Sequence, residues 1–158
     1  MNISRKLDQF AAWLPLRPAV YFLMVIVWAV TLWFLSSGNP GSENAPKIPH
    51  LDKVAHFSYF LCGGAALAAC LGLKWSDWTR FRVFAIVTII FVILGRLDEY
   101  HQSFTPGRSA NDTGDWIADI IGAVVGALLV IIILIPRLLQ RVEKSSPKTR
   151  NVANSLDC

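Results

Sequence analysis

Charged residues are scarce in this chain. Lys, Arg, Asp and Glu make up 16% of its 158 residues, whereas hydrophobic residues make up 54%. A soluble globular domain carries about 25% charged residues. The apolar residues here also form long blocks, without the spacing of a water-facing helix or strand. The composition therefore argues against an ordinary soluble domain and predicts an all-α integral membrane protein.

Cysteines and familiar catalytic motifs are also rare or absent. Cys62 and Cys70 lie in one apolar block, about 12 Å apart along a helix, which is too far for a disulfide bond. We interpret them as packing residues. The sequence contains no Cys-x-x-Cys pair, HExxH motif, P-loop or nucleophile elbow. No motif therefore identifies a metal or a cofactor, and both stay open.

Four apolar blocks have the length and composition of membrane-spanning helices. The first contains two Trp residues and no clean cleavage site, so we interpret it as a retained span and not as a signal peptide. Pro136 is predicted to end the last block, because proline interrupts a helix interior. We predict a compact bundle of four transmembrane helices over 19–35, 54–73, 84–99 and 115–135.

The polar segments divide the chain around this bundle. We expect a short N-terminal segment over 1–18 and a four-span membrane domain over 19–135. The polar, basic tail over 136–158 is expected to be disordered. A loop rich in Ser, Gly, Asn and Pro is predicted between the first two spans, over 36–49.

Lysine and arginine are distributed unequally between the two sides of the predicted bundle. One side carries Lys47, Lys53, Arg96 and Arg108. Because positive residues favour the cytoplasmic side, we predict cytoplasmic termini and an outward-facing end for the other side. Basic residues confined to loops do not suggest nucleic-acid binding. The presumed cytoplasmic side carries Arg5, Lys6, Arg17, Lys74, Arg80, Arg82, Arg137, Arg141, Lys144, Lys148 and Arg150.

Polar residues gather at the outer ends of the last three predicted spans. Asp115, Asp119, Gly122 and Gly126 follow spacings of four, three and four, so they form one stripe on a helix. A Gly-x-x-x-Gly pair permits close helix approach in a membrane. The stripe should therefore face the bundle and bring both aspartates near the other polar residues. Ionisable groups in such positions are functional candidates by default.

General acid–base chemistry is the chemistry that these residues offer. Glu99 and His56 are the candidate proton-transfer residues. Arg108 is a forked donor suited to an anionic group. The aspartates could instead cap helices, pair with arginines or bind a divalent metal. Candidate substrate-binding residues are Arg108, Gln102, Asp115, Asp119 and Lys53.

Several neighbouring polar residues have simpler interpretations. Tyr59 is interpreted as a packing residue. Asp98 and His101 are interpreted as facing the membrane interface. Arg96 is expected either to pair with Glu99 or to extend its charged head outward.

Three segments together resemble the VanZ-like family. They are an Asp-Lys-x-x-His-Phe block at 52–57, a Glu-x-x-Gln pair at 99–102 followed by Pro-Gly-Arg at 106–108, and the aspartate–glycine stripe at 115–126. The resemblance implies a small bacterial inner-membrane protein. The family's namesake is linked to resistance to the glycopeptide teicoplanin, which acts on the cell envelope.

Two functions follow as hypotheses. The protein either acts on or binds an envelope glycolipid or lipid-linked precursor, affecting glycopeptide susceptibility, or it is a non-catalytic binding or assembly module. Whether it is an enzyme stays open, as does its oligomeric state. A transporter is the weaker third hypothesis, because the cytoplasmic halves of the spans are almost wholly apolar.

Overall fold

The computed structural model describes residues 2–38, 50–106, 108 and 112–145, and over these ranges it is helical without strands. The predicted loop over 36–49 therefore lies mostly outside the described residues, as do residues 146–158 of the tail. The helices are α1 Ile3–Trp13, α2 Pro18–Ser37, α3 Leu51–Lys74, α4 Arg80–Gln102, α5 Thr113–Leu129, a π-helical turn Val130–Leu134 and α6 Ile135–Ser145.

Three helices of the described chain are long and apolar enough to cross a membrane. They are Pro18–Ser37, Leu51–Lys74 and the continuous helix Thr113–Ser145, and they contain three of the four predicted spans. The remaining predicted span lies in α4, which has 23 residues, about 34 Å of helix. Every 18-residue stretch of α4 contains at least three charged residues, so α4 is not among these three helices and its crossing stays a prediction.

Helices α3 and α5 pack closely along the glycine stripe. A Cβ atom on Gly122 would collide with the carbonyl oxygen of Phe57, and one on Gly126 with that of Leu61. The absence of these side chains lets the two backbones touch, as in other small-residue helix pairs in membranes. The predicted role of the Gly-x-x-x-Gly pair is therefore confirmed.

Helix α2 is attached to α3 through Trp28. The Trp28 indole donates a hydrogen bond to the Tyr59 carbonyl at 2.9 Å, and the Tyr59 hydroxyl donates to the Trp28 carbonyl at 2.8 Å. The indole also packs against the rings of Phe60 and Phe91. Tyr59 is thus a packing residue, as predicted.

The helix does not end at Pro136, and that prediction is wrong. A π-helical turn, Val130–Leu134, widens the backbone just before the proline, and the helix then continues to Ser145. The wider turn relieves the clash between the proline ring and the preceding carbonyl groups. The Arg137 guanidinium donates to the Ile133 carbonyl at 2.6 Å. Disorder predicted from residue 136 is therefore wrong as far as Ser145.

Helix α1 packs on α6 at the end opposite the polar residues. The Arg141 guanidinium donates to the carbonyl oxygens of Ala11 and Leu14, and Arg137 pairs with Asp8 at 2.8 Å. These contacts place the basic residues of α1 and α6 together at one end of the bundle. The polar groups of α3, α4 and α5 lie at the other end.

Candidate functional site

The buried polar side chains of the described residues all lie near the start of α3 and α5 and the ends of α2 and α4. Four of them are carboxylates contributed by two helices. Carboxylates are seldom fully buried without a compensating partner, so their concentration here marks a site. The residues are Ser36, Asp98, Glu99, Gln102, Asp115 and Asp119.

His56 and Asp119 form the centre of this region. His56 Nδ1 lies 2.9 Å from Asp119 Oδ1, and the Asp119 side chain is fully buried. The second carboxylate oxygen, Oδ2, has no hydrogen-bond partner. Gly95 on α4 makes room for it, because a Cβ there would lie 3.1 Å from Oδ2. Asp119 Oδ1 thus orients the imidazole, and Oδ2 remains without a hydrogen-bond partner among the described residues.

Glu99 is completely buried, and neither of its carboxylate oxygens has a hydrogen-bond partner among the described residues. The expected alternative of a pair with Arg96 is not observed. The Arg96 guanidinium is instead 5.9 Å from the centroid of the Trp116 ring. A buried carboxylate without partners costs free energy, about 1–3 kcal/mol for an unsatisfied polar group and more for a charged one. Such a group is typical of a site with a ligand or a proton to bind.

Asp98 is buried, so the prediction that it faces the interface is wrong. The Ser36 hydroxyl donates to Oδ1, and the Gln102 amide donates to Oδ2 at 2.7 Å. The spacing of four between Asp98 and Gln102 was a signal for this contact, since such residues are neighbours on a helix. Nothing in the sequence pattern indicated Ser36, which reaches the cluster from α2.

Four side chains converge to a single point. His56, Asp98, Glu99 and Asp119 each offer one donor atom, and these atoms all lie within 4.8 Å of one another. We call these four residues the acidic cluster. Two of them, Glu99 and His56, were predicted as proton-transfer residues, and the structure brings them together. A donor set of one imidazole and three carboxylates suits proton transfer or a divalent cation.

Lys53 organises a second group of carboxylates beside the acidic cluster. Its ammonium lies 3.0 Å from Asp115, 3.1 Å from Asp112 and 3.2 Å from Asp52. Hydrogen bonding from Lys53, together with the Gly114 backbone amide, holds the pKa of the Asp112 carboxyl below its usual range. This group already contains its own cation, so the structure places the predicted residues Lys53 and Asp115 in an ion-pair network.

Arg108 connects the loop after α4 to the end of α2. Its guanidinium donates to the Leu35 carbonyl at 2.9 Å, to the Gly38 carbonyl at 3.2 Å and to the Gln102 side-chain oxygen at 3.3 Å. Gln102 in turn donates to Asp98. Arg108 and Gln102 therefore form a layer next to the acidic cluster. Their predicted contact with an anionic substrate stays a prediction.

Comparison with known proteins gives one match. A family model described as VanZ/LLP1 matches residues 16–134. Neither a curated protein nor a solved structure matches the chain. The matched range includes the acidic cluster, the Lys53 group and Arg108.

Proposed function

The chain belongs to the VanZ/LLP1 family, whose model covers residues 16–134 of 158, and from this we propose that it acts on the headgroup of an envelope glycolipid or lipid-linked precursor. The protein is a VanZ-like membrane protein, and a link to glycopeptide resistance is consistent with the family name. Its headgroup chemistry would account for altered susceptibility to teicoplanin-type antibiotics.

The observation that most supports this proposal is the environment of Glu99. Glu99 is fully buried, its two carboxylate oxygens have no hydrogen-bond partner in the described ranges, and it converges with the His56–Asp119 pair. A carboxyl group held in a fixed place and not consumed by a structural contact can take a proton from a substrate and return it. Glu99 is the proposed acid–base residue, and His56, oriented by Asp119, completes the reactive end of the site.

The position of the cluster along the bundle supports a headgroup as the substrate. Aromatic side chains that favour the membrane interface occur near both ends of the helices. Trp33 stacks on His101 and Tyr100 contacts Phe104 at the cluster end. Trp75 stacks on Trp78 at the other end. We propose that four spans cross the inner membrane, with both termini in the cytoplasm and the cluster at headgroup depth facing outward.

Two cations next to the cluster would recognise an anionic headgroup. Lys53 donates to Asp115, and Arg108 donates to Gln102, which in turn donates to Asp98 of the acidic cluster. Lys and Arg are the side chains that bind phosphate and carboxylate groups most strongly. With Asp119, these residues form the proposed substrate-binding set.

The first test incubates the purified protein with lipid extracts and lipid-linked envelope precursors and follows the products by mass spectrometry. We expect a product mass from the wild-type protein and its loss, by at least about 100-fold, in Glu99→Gln. Asp77→Asn is a matched control, because Asp77 is an exposed acidic residue near the opposite end of the bundle. Equal turnover by Glu99→Gln and wild type would exclude Glu99 as the acid–base residue.

A non-catalytic binding or assembly module is the second candidate. The interhelical pairs Ser36–Asp98 and His56–Asp119 favour it, because such contacts also serve to join helices. In that case the same experiment would recover a bound lipid of unchanged mass from both proteins. Glu99→Gln would then change the stability of the complex and not its chemistry.

A further inference from the structure

The acidic cluster contains more negative charge than its own residues balance. Three of its members are carboxylates, and its only basic side chain is His56. Within the part of the chain that the structure describes, three carboxylate oxygens, both of Glu99 and Oδ2 of Asp119, are buried without a hydrogen-bond partner. We propose that the cluster binds one divalent first-row cation of the Zn²⁺ or Mn²⁺ type, with His56, Asp98 and Asp119 as protein ligands and Glu99 beside the ion.

The spacing of the donor atoms fits a single ion. Atoms bound to one cation at about 2.0–2.2 Å stand at most about 4.4 Å apart. The donors of the acidic cluster are already within 4.8 Å of one another. Binding therefore requires a contraction of a few tenths of an ångström, which side-chain rotation can supply without moving the helices.

The proposed ligands are already oriented by hydrogen bonds from their neighbours. Asp98 accepts from Ser36 and Gln102, and His56 is fixed by Asp119 Oδ1. Metal ligands are commonly held in this way, and histidine–carboxylate pairs are the commonest form of such support. Glu99 has no such support, which distinguishes it from the ligands and leaves it free for proton transfer.

The donor types select the class of cation. An imidazole with two carboxylates suits Zn²⁺, Mn²⁺ and Fe²⁺ better than Mg²⁺ or Ca²⁺, which favour oxygen ligands alone. The neighbouring carboxylates of Asp52, Asp112 and Asp115 surround the Lys53 ammonium instead. The ion is therefore assigned to the acidic cluster and not to the Lys53 group.

A cation would also explain how an anionic headgroup approaches an acidic site. Phosphate is repelled by uncompensated carboxylates, whereas an ion held by three protein ligands keeps open positions for substrate oxygens. The proposed substrate class is accordingly a phosphate-bearing lipid. This last step rests on the proposed function, but binding of the ion itself does not.

The test is a metal titration of the full chain in detergent, without lipid, after removal of metals with a chelator. We expect one equivalent of Zn²⁺ or Mn²⁺ to bind and to raise the thermal unfolding temperature, since a ligand specific to the folded state stabilises it. His56→Gln and Asp98→Asn should each weaken binding by at least about tenfold. Asp52→Asn is the control, because Asp52 is an exposed carboxylate that pairs with Lys53, and it should retain the affinity within about threefold.

Two outcomes would overturn the ion site. One is the absence of Zn²⁺ and Mn²⁺ binding to the folded wild-type protein, and the other is unchanged affinity in both ligand variants. Glu99→Gln separates this proposal from the proposed function, since it should keep the ion and lose the lipid product. Ion binding without any product in the wild type would reject the reaction while supporting the site.

Discussion

At the scale of single residues, the buried carboxylate of Asp115 has the Lys53 ammonium as its counter-ion. Lys53 is 31% exposed, whereas Asp115, to which it donates at 3.0 Å, is only 7% exposed. Removing the ammonium leaves a buried carboxylate without its counter-ion. Breaking a fully buried pair costs about 3–5 kcal/mol, and partial exposure of Lys53 reduces that cost.

We expect Lys53→Gln to lower the free energy of unfolding by about 1–2 kcal/mol. Asp115→Asn in the same chain should recover part of this loss, because the unpaired charge is then absent. A double-mutant cycle measured by denaturant unfolding in detergent gives the coupling energy. Strictly additive effects of the two substitutions would contradict a stabilising ion pair.

The residues that sequence analysis identified differ from the one that it misplaced in whether local spacing indicated the helix face on which they lie. His56, Glu99 and Asp119 were found because helical spacing directs each of them to an inner face. Asp98 was misplaced because one of its partners, Ser36, is 62 positions away on α2. A partner supplied by a distant helix leaves no trace in local spacing.

At the scale of helices, the contact between α3 and α5 depends on glycine. In an isolated helix, Gly→Ala stabilises by about 1 kcal/mol. Gly126→Ala should do the opposite here, because its methyl group would collide with the Leu61 carbonyl, which is backbone and cannot rotate away. We expect a loss of about 1–3 kcal/mol in the free energy of unfolding, measured in detergent.

Gly72→Ala provides the matched control for this substitution. Its methyl group would meet only the end of the Ile135 side chain, at 2.7 Å, which can adopt another rotamer. We expect a change of about 1 kcal/mol or less. If the two substitutions destabilise equally, steric contact with the α3 backbone does not explain the need for glycine at position 126.

The helix across Pro136 shows why a boundary predicted from one residue can fail. Proline removes one hydrogen bond and introduces a clash, but a single π-helical turn accommodates both. The apolar pattern before the proline gave the position of the span, and packing of α6 against α1 and α3 provides the reason for its continuation. Tertiary contact of this kind is not visible in local sequence.

At the scale of the whole molecule, the two ends of the bundle differ in charge and in burial. Asp98, Glu99, Asp115 and Asp119 are buried at one end, while Arg137 and Arg141 lie with α1 at the other. From the positive-inside rule we expect the arginine end to face the cytoplasm.

A reporter that is active only outside the cytoplasm tests this orientation. Fused after Cys158 it should be inactive, and fused at Gly41, between α2 and α3 in the sequence, it should be active. A cytoplasmically active reporter at the same two positions is the control and should give the inverse pattern. Activity of the first reporter at the C-terminus would reverse the orientation.

The overall architecture was more predictable than the site. Apolar blocks of bilayer length are determined by composition, so the helices were predicted near their observed positions. The convergence of four side chains from α3, α4 and α5 depends on helix rotation and approach. From the sequence, the Gly122–Gly126 stripe predicted which face of α5 points into the bundle. The rotations of α3 and α4 are determined by packing between the helices.

The pairing of residues far apart in sequence has a consequence for how the chain enters the membrane. His56 and Asp119 are 63 positions apart, and Lys53 and Asp115 are 62 apart. During synthesis, α3 therefore leaves the ribosome and meets the insertion machinery well before α5 exists. We therefore expect His56 and Lys53 of α3 to be synthesised without their carboxylate partners, which follow on α5. Stable insertion of α3 is thus expected to depend on the later arrival of α5.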